Sequence, residues 1–176
     1  MVDSGQKWCY NDFTDLLMVD FMSLLTGAYS HAVDDKKRIR IPAKFKADLC
    51  GETVEDDGNE QKKFSLVFQT GTDGCICVYT QKTVDEITAP FLAVKKSDPV
   101  KYKAVRLYLN TFETIESDNQ GRFVLPSRFR EHAQIKKELM ICGMGDHVEI
   151  WAKEVYDEYF NSEKLDINEL VKILEI

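Results

Sequence analysis

One thirteen-residue pattern occurs twice in this chain of 176 residues, and no other feature constrains the fold so strongly. Asp34-Asp35-Lys36-Lys37-Arg38-Ile39-Arg40-Ile41-Pro42-Ala43-Lys44-Phe45-Lys46 returns as Asp118-Asn119-Gln120-Gly121-Arg122-Phe123-Val124-Leu125-Pro126-Ser127-Arg128-Phe129-Arg130, at a constant offset of 84. Asp, Arg, Pro and Phe recur in register, the positions of Ile39 and Ile41 stay apolar, and those of Lys44 and Lys46 stay basic. A repeat of this kind implies one small supersecondary unit used twice.

A second match extends the repeat. Gly74-Cys75-Ile76-Cys77-Val78-Tyr79 aligns with Asp146-His147-Val148-Glu149-Ile150-Trp151 at an offset of 72. The twelve-residue difference is absorbed by an insertion in the first copy. Residues 51–63 suit that role, because Glu52, Glu55, Asp56, Asp57 and Glu60 cluster there with Gly58 and Asn59 and read as a solvated loop. The expected organisation is an extension at 1–21, a first half at 22–88, a helical connector at 89–109, a second half at 110–160 and a helical tail at 161–176.

Local chemistry gives each half a shape. Asp34 and Asp118 suit the first position of a tight turn, where a short carboxylate accepts backbone N–H groups. Gly121 supplies the positive φ such a turn needs near its end. Lys37 holds the equivalent place in the first copy, so the first turn is expected to differ. After the turn, polar and apolar residues alternate from Arg38 to Ile41, as in a strand with one buried face. Pro42 and Pro126 close the strand and open a short helix. Leu66–Phe68 and Leu139–Ile141 read as buried strands, with Cys75–Tyr79 and His147–Trp151 as their hairpin partners. Each half is thus β-α-β-β, and the fold class is α+β. Apolar residues at helical spacing in the connector (Val84, Ile87, Phe91, then Val100, Ala104, Val105, Tyr108) and in the tail (Leu165 to Leu174) indicate amphipathic helices.

Charge narrows the function. The net charge is −7, which argues against a uniformly basic nucleic-acid coat. Its distribution is uneven. His31–Lys46 carries six basic residues against two acids, and 118–130 carries three arginines against Asp118. From Glu149 onward there are eight acids and three lysines. The basic charge therefore lies on the repeated element, and within a Debye length of ~8 Å a duplex senses that patch more than the distant acids. With double-stranded DNA as the partner, Arg38 is the candidate principal contact, supported by Lys36, Lys37 and Arg40, with Arg122 contributing from the second copy. Asp34 and Asp118 are expected to shape the turns and hold the arginines. A second reading stays open for Arg38 and Arg122, in which each ion pair only pins a turn to a strand.

Gly27-Ala28-Tyr29-Ser30-His31-Ala32-Val33 followed by the first repeat resembles the N-terminal signature of the MraZ family. The second Asp-x-x-x-Arg, Asp118 to Arg122, the Asp73-Gly74-Cys75 turn, and Gly145-Asp146-His147-Val148-Glu149-Ile150-Trp151 fit the same pattern, so the resemblance spans about residues 22–160. It implies a tandem AbrB-like, double-split β-barrel. It further implies a ring homo-oligomer that binds promoter direct repeats and acts mainly as a repressor of the division and cell-wall operon, in the cytoplasm at the nucleoid. The sequence departs from the family pattern at Lys37, in the acidic 51–63 loop and in residues 1–21, which are surplus to it; Met22 is the expected natural start.

The remaining residues bear on other functional classes. The five cysteines (Cys9, Cys50, Cys75, Cys77, Cys142) form no C-x-x-C pair, and their number and density suit a reduced compartment better than a disulfide scaffold. Cys75, Cys77, Cys142 and His147 fall on equivalent hairpins and offer a metal or thiol site as an alternative, but the Cys-x-Cys spacing is unlike a zinc knuckle. No metal, cofactor, catalytic residue or membrane association is expected: the histidines have no nucleophile constellation and Gly143-Met144-Gly145 is no phosphate loop. A ring-forming protein-interaction module is the other alternative.

Overall fold

The computed structural model describes residues 24–50, 63–162 and 166–175; the expected extension at 1–21 and nearly all of the 51–63 loop lie outside the described residues. Strand β1 (Leu25–Ala32) leads into β2 (Arg38–Arg40), α1 (Ala43–Cys50), β3 (Ser65–Thr70), β4 (Ile76–Tyr79) and α2 (Gln81–Thr88). After α3 (Pro99–Leu109) the order repeats as β5 (Phe112–Glu116), β6 (Arg122–Val124), α4 (Ser127–His132), β7 (Glu138–Gly145) and β8 (Val148–Ala152), followed by α5 (Lys153–Ser162) and α6 (Ile167–Leu174). The fold is mixed α+β.

The copies are interlaced rather than set side by side. One antiparallel sheet runs β1-β7-β8-β4-β3-β5, so the opening strand of each copy pairs with the other copy: β1 with β7, and β5 with β3. The hairpins β3–β4 and β7–β8 meet through β4 and β8. Separately, β2 and β6 pair with each other as a two-stranded antiparallel ribbon.

The central strands are buried on both faces, which explains their unbroken apolar runs. One face carries Leu66, Phe68, Ile76, Val78, Leu139, Ile141, Val148 and Ile150, packed with Ile39 and Phe123 from the ribbon and with Phe45 and Phe129 from α1 and α4. The opposite face carries Val67, Cys75, Cys77, Tyr79, Cys142 and Trp151, covered by Val84 of α2 and by Val155 and Tyr156 of α5. Equivalent aromatics thus end in one core: Phe45 meets Tyr29 edge-on at 5.3 Å, and Phe129 meets Phe68 at 6.1 Å.

The order β-α-β-β expected for each half lacks β1 and β5. Both are edge strands with little to bury: only Leu25 of β1 is buried, and no residue of β5 is. Apart from Leu25 their inward side chains, such as Tyr29 in β1 and Ile115 in β5, are only half-buried, so the alternation they carry is weak. The prolines act slightly differently from the expectation as well. Pro126 stands just outside α4 in an extended conformation (φ −56°, ψ 152°), and its carbonyl accepts from the N–H groups of Phe129 and Arg130. Pro42 accepts likewise from Phe45 and Lys46.

Candidate nucleic-acid interface

The two Asp-x-x-x-Arg turns match bond for bond. In the first, one carboxylate oxygen of Asp34 accepts the backbone N–H groups of Lys36 and Arg38, both at 2.9 Å. The other oxygen takes the Arg38 guanidinium through Nε and Nη2, both at 2.7 Å. In the second, Asp118 accepts the N–H groups of Gln120 and Arg122 at 2.9 and 3.0 Å, and Nε and Nη2 of Arg122 at 2.8 Å each. The Lys37 N–H donates to the Asp34 carbonyl at 2.9 Å, as Gly121 donates to Asp118 at 2.9 Å.

The first turn does not depart from the second, contrary to the expectation drawn from Lys37. Its φ is 61° against 70° for Gly121, so a lysine occupies the left-handed region that glycine holds in the other copy. For a residue with a Cβ this costs roughly 1–2 kcal/mol. The gain is one more cation at the tip of the turn.

Antiparallel pairing then brings the turns together. Arg38 lies opposite Val124, Ile39 opposite Phe123, and Arg40 opposite Arg122. Alternation sends Ile39 and Phe123 inward, where they are 2% and 0% exposed, and leaves Arg38, Arg40, Arg122 and Val124 on the outer face. Arg38 also reaches across the ribbon, with Nη1 3.5 Å from Asp118 Oδ2. One carboxylate therefore serves both arginines. Arg122 holds Asp118 down to about 2, and Arg38 likewise lowers Asp34 from the usual carboxylate range.

Lys36, Lys37 and Arg40 are exposed on this surface and form no ion pair or side-chain hydrogen bond among the described residues. The surrounding basic residues are engaged elsewhere. Arg128 pairs with Glu113 at 2.8 Å and donates to the carbonyls of Asn110 and Phe112. Arg130 donates to the Leu125 carbonyl at 3.0 Å, and Lys46 lies over the Phe64 ring at 4.8 Å. The cationic surface thus contracts to the ribbon and its two turns. Five cations, Lys36, Lys37, Arg38, Arg40 and Arg122, stand there with Asp34, Asp35 and Asp118. The shared use of Asp118 and the exposed Val124 escaped the sequence, since both depend on pairing between segments 84 residues apart. The symmetry of the repeat was the one available signal.

Residues 108–171 match the family described as "MraZ protein, putative antitoxin-like". The chain is 36% identical over 154 residues to the "Transcriptional regulator MraZ" of Thermoanaerobacter sp. (strain X514), covering 86% of this chain and 97% of that protein. The chain belongs to the MraZ family. MraZ proteins of Caldanaerobacter subterraneus subsp. tengcongensis (36% identity; 86% and 97% of the two chains) and Carboxydothermus hydrogenoformans (34%; 85% and 95%) carry the same name, that of a transcriptional regulator and not of an enzyme. Among the described residues, no helix is long and apolar enough to cross a membrane.

The cysteine hairpins place a second group of polar side chains on the far face of the sheet. Cys75 and Cys77 lie with their sulfurs 3.9 Å apart, while Cys142 sits on β7 within the same apolar cluster. His147 stacks on Tyr79 at 5.0 Å and joins Asp146 at 2.7 Å. The hydrogen bond from Cys75, reinforced by His147, pulls the Cys77 thiol down to about 5, while Cys75 is pushed up. Cys77, then Glu149, raise His147 to about 10.

Proposed function

We propose that this MraZ-family chain is a transcription regulator that binds double-stranded promoter DNA at direct repeats through the β2–β6 ribbon and its two turns. The observation that carries the reading is the outer face of that ribbon, where three arginines and two turn lysines surround two carboxylates already committed to orienting guanidinium groups. The naming of the relatives as transcriptional regulators supports the same conclusion.

The roles divide by geometry. Lys36, Lys37 and Arg40 are solvated cations suited to phosphates, where they release condensed counterions. Arg38 is held by Asp34 through Nε and Nη2, which leaves Nη1 with only the 3.5 Å contact to Asp118. A guanidinium has five N–H donors. Arg38 therefore keeps capacity to donate to a guanine edge while its carboxylate partners hold its plane. Arg122 is held by Asp118 through Nε and Nη2 in the same way, without a cross-ribbon contact among the described residues. Asp34, Asp118 and Gly121 build the turns that present them.

In this reading residues 22–88 and 110–160 are the two halves of an AbrB-like double-split barrel. Copies of the chain assemble into a ring whose ribbons meet successive DNA repeats, raising effective concentration without new contacts. Exposed apolar residues suit such assembly: Val100 and Leu107 of α3 are 77% and 60% exposed, and Ile173 and Leu174 of α6 are 63% and 62% exposed. The target is the protein's own division and cell-wall operon, mainly under repression, at the nucleoid.

Fluorescence anisotropy with the DNA upstream of the gene, and scrambled repeats as control, tests the proposal. Arg38→Ala is expected to weaken repeat-specific binding about 10- to 100-fold, the size of a lost bidentate base contact. Light scattering should show the assembly unchanged. Wild-type affinity should fall steeply with salt. Undiminished affinity of the variant, or equal binding to scrambled repeats, overturns the proposal.

A further inference from the structure

We propose that Cys75, Cys77 and Glu149 form a binding site for a borderline-soft divalent cation of the Zn²⁺ class, with the fourth position left to solvent. The site lies where β4 and β8 run side by side, with Cys77 directly opposite Glu149 in the register. The two sulfurs and a carboxylate oxygen of Glu149 all lie within 4.8 Å of one another.

The spacing is that of a coordination tetrahedron. Two thiolates at ~2.3 Å from one Zn²⁺ stand about 3.8 Å apart along the tetrahedral edge. The observed Sγ–Sγ separation is 3.9 Å. Cys-x-Cys on an extended strand differs from a zinc knuckle in sequence spacing, yet it delivers both sulfurs to one side because alternate side chains share a face. Gly71 shows how tightly the pair is set. Its φ of −80° is open to any residue, but a Cβ there would stand 2.4 Å from Cys75 Sγ and 2.8 Å from Cys77 Sγ. Space for the sulfurs, not backbone conformation, excludes a side chain at this position.

Glu149 and the histidine beside it are already oriented by their neighbours. Trp151 donates its indole N–H to Glu149 Oε2 at 3.0 Å, and Oε1 lies 3.7 Å from His147 Nε2. The other imidazole nitrogen, Nδ1, is joined to the Asp146 carboxylate at 2.7 Å. His147 stands outside the converging trio and supports it through Glu149. The setting is apolar and largely dry. Cys75 and Cys77 are 1% and 7% exposed, the side chains of His147 and Glu149 19% and 16%, and Val67, Val84 and Trp151 pack around them. Cys142, on β7, is not in this group. On binding, the thiols coordinate as thiolates and give up their protons to solvent. A filled site clamps β4 of the first copy to β8 of the second, so its binding energy adds to folding. It does not touch the ribbon proposed to meet DNA.

The test is a titration of the full-length reduced protein, freed of metal, with Co²⁺ as the spectroscopic stand-in for Zn²⁺. The expected result is thiolate-to-cobalt charge transfer with the visible bands of a tetrahedral ion, saturating at about one equivalent per chain and displaced by Zn²⁺. The Cys75→Ser/Cys77→Ser pair should abolish the charge transfer. Glu149→Gln should weaken Co²⁺ at least about tenfold, and Cys142→Ser should leave the spectrum intact. Saturating Zn²⁺ should also raise the wild-type melting temperature. No charge transfer in the wild-type protein, or a band that survives the double substitution, overturns the proposal; so does a band lost with Cys142→Ser. If the double variant does not fold, the wild-type spectrum and its thermal shift decide. Promoter binding by the ribbon is read separately, so failure here leaves that proposal standing.

Discussion

The two Asp-x-x-x-Arg turns share a backbone and differ in what that backbone carries. The second uses Gly121 at its left-handed position and holds its arginine with the local carboxylate. The first places Lys37 at nearly the same φ, adds Lys36 beside it, and sends its arginine to both its own carboxylate and that of the other copy. The Lys37 carbonyl also accepts the Leu125 N–H at 2.9 Å, tying the first turn to the end of the second copy's strand. Duplication fixed the hydrogen-bonding scheme, and divergence then concentrated charge on one copy at a cost in strain. Shape is conserved between the copies by the Asp carboxylate more than by the glycine.

The comparison is most severely tested beneath the ribbon, where the equivalent inward residues are Ile39 and Phe123. Phe123 is fully buried and contacts two rings, Phe64 at 5.1 Å and Phe68 at 5.5 Å. Phe123→Ala is expected to cost about 3–5 kcal/mol in urea denaturation, and Ile39→Ala less, nearer the lower end of its roughly 2–5 kcal/mol range. A reversed ranking would mean that the first copy, not the second, anchors the ribbon to the core.

Exchanging the residues at the left-handed position sharpens the comparison at the next level of magnitude. Lys37→Gly relieves the positive-φ penalty but frees the unfolded chain, for a net stabilisation of about 0.5–1 kcal/mol. Gly121→Lys should destabilise by roughly 1–2 kcal/mol through its backbone alone. A Cβ there meets only Lys46 Nζ at 3.5 Å and Phe64 Cε1 at 3.7 Å, both ordinary contacts. Opposite signs in thermal melts are the expected outcome. If Lys37→Gly is neutral, the lysine gains from its surroundings what it loses in φ.

How much of this was legible in the sequence depends on what each residue faces. Ile39, Phe45, Phe123 and Phe129 stood out because each points into the core from a repeated pattern, and all four are buried. The strands β1 and β5 are not legible as strands, because Leu25 is their one buried residue and their pairing partners lie in the other copy. The same interlacing hid the reach of Arg38 to Asp118. Lys37 misled for a different reason: propensity argues against lysine at φ 61°, but two carboxylate-accepted N–H bonds and the paired strand hold the turn regardless. Glu149 went unnoticed beside Cys77 because strand register, not sequence distance, sets them opposite one another.

The finest difference between the turns is the double duty of Asp118, and acid titration isolates it. Its folded-state pKa is about 2, against an ordinary 3.8, with the hydrogen bond from Arg122 as the leading cause. A depressed carboxylate stabilises the fold fully above its unfolded pKa, and that contribution is lost as pH falls through the folded one. The second turn should therefore begin to loosen below about pH 4 and be released near pH 2. Protonation frees Arg122 outright but Arg38 only at Nη1, since Asp34 retains its other two donors. Following the Asp118 carboxyl carbon by NMR, Arg122→Gln should move the midpoint up toward 3.8 and Arg38→Gln should move it much less. Equal shifts from the two substitutions would show that the cross-ribbon contact, at 3.5 Å, holds Asp118 as firmly as its own arginine does, and the two turns would then titrate as one unit.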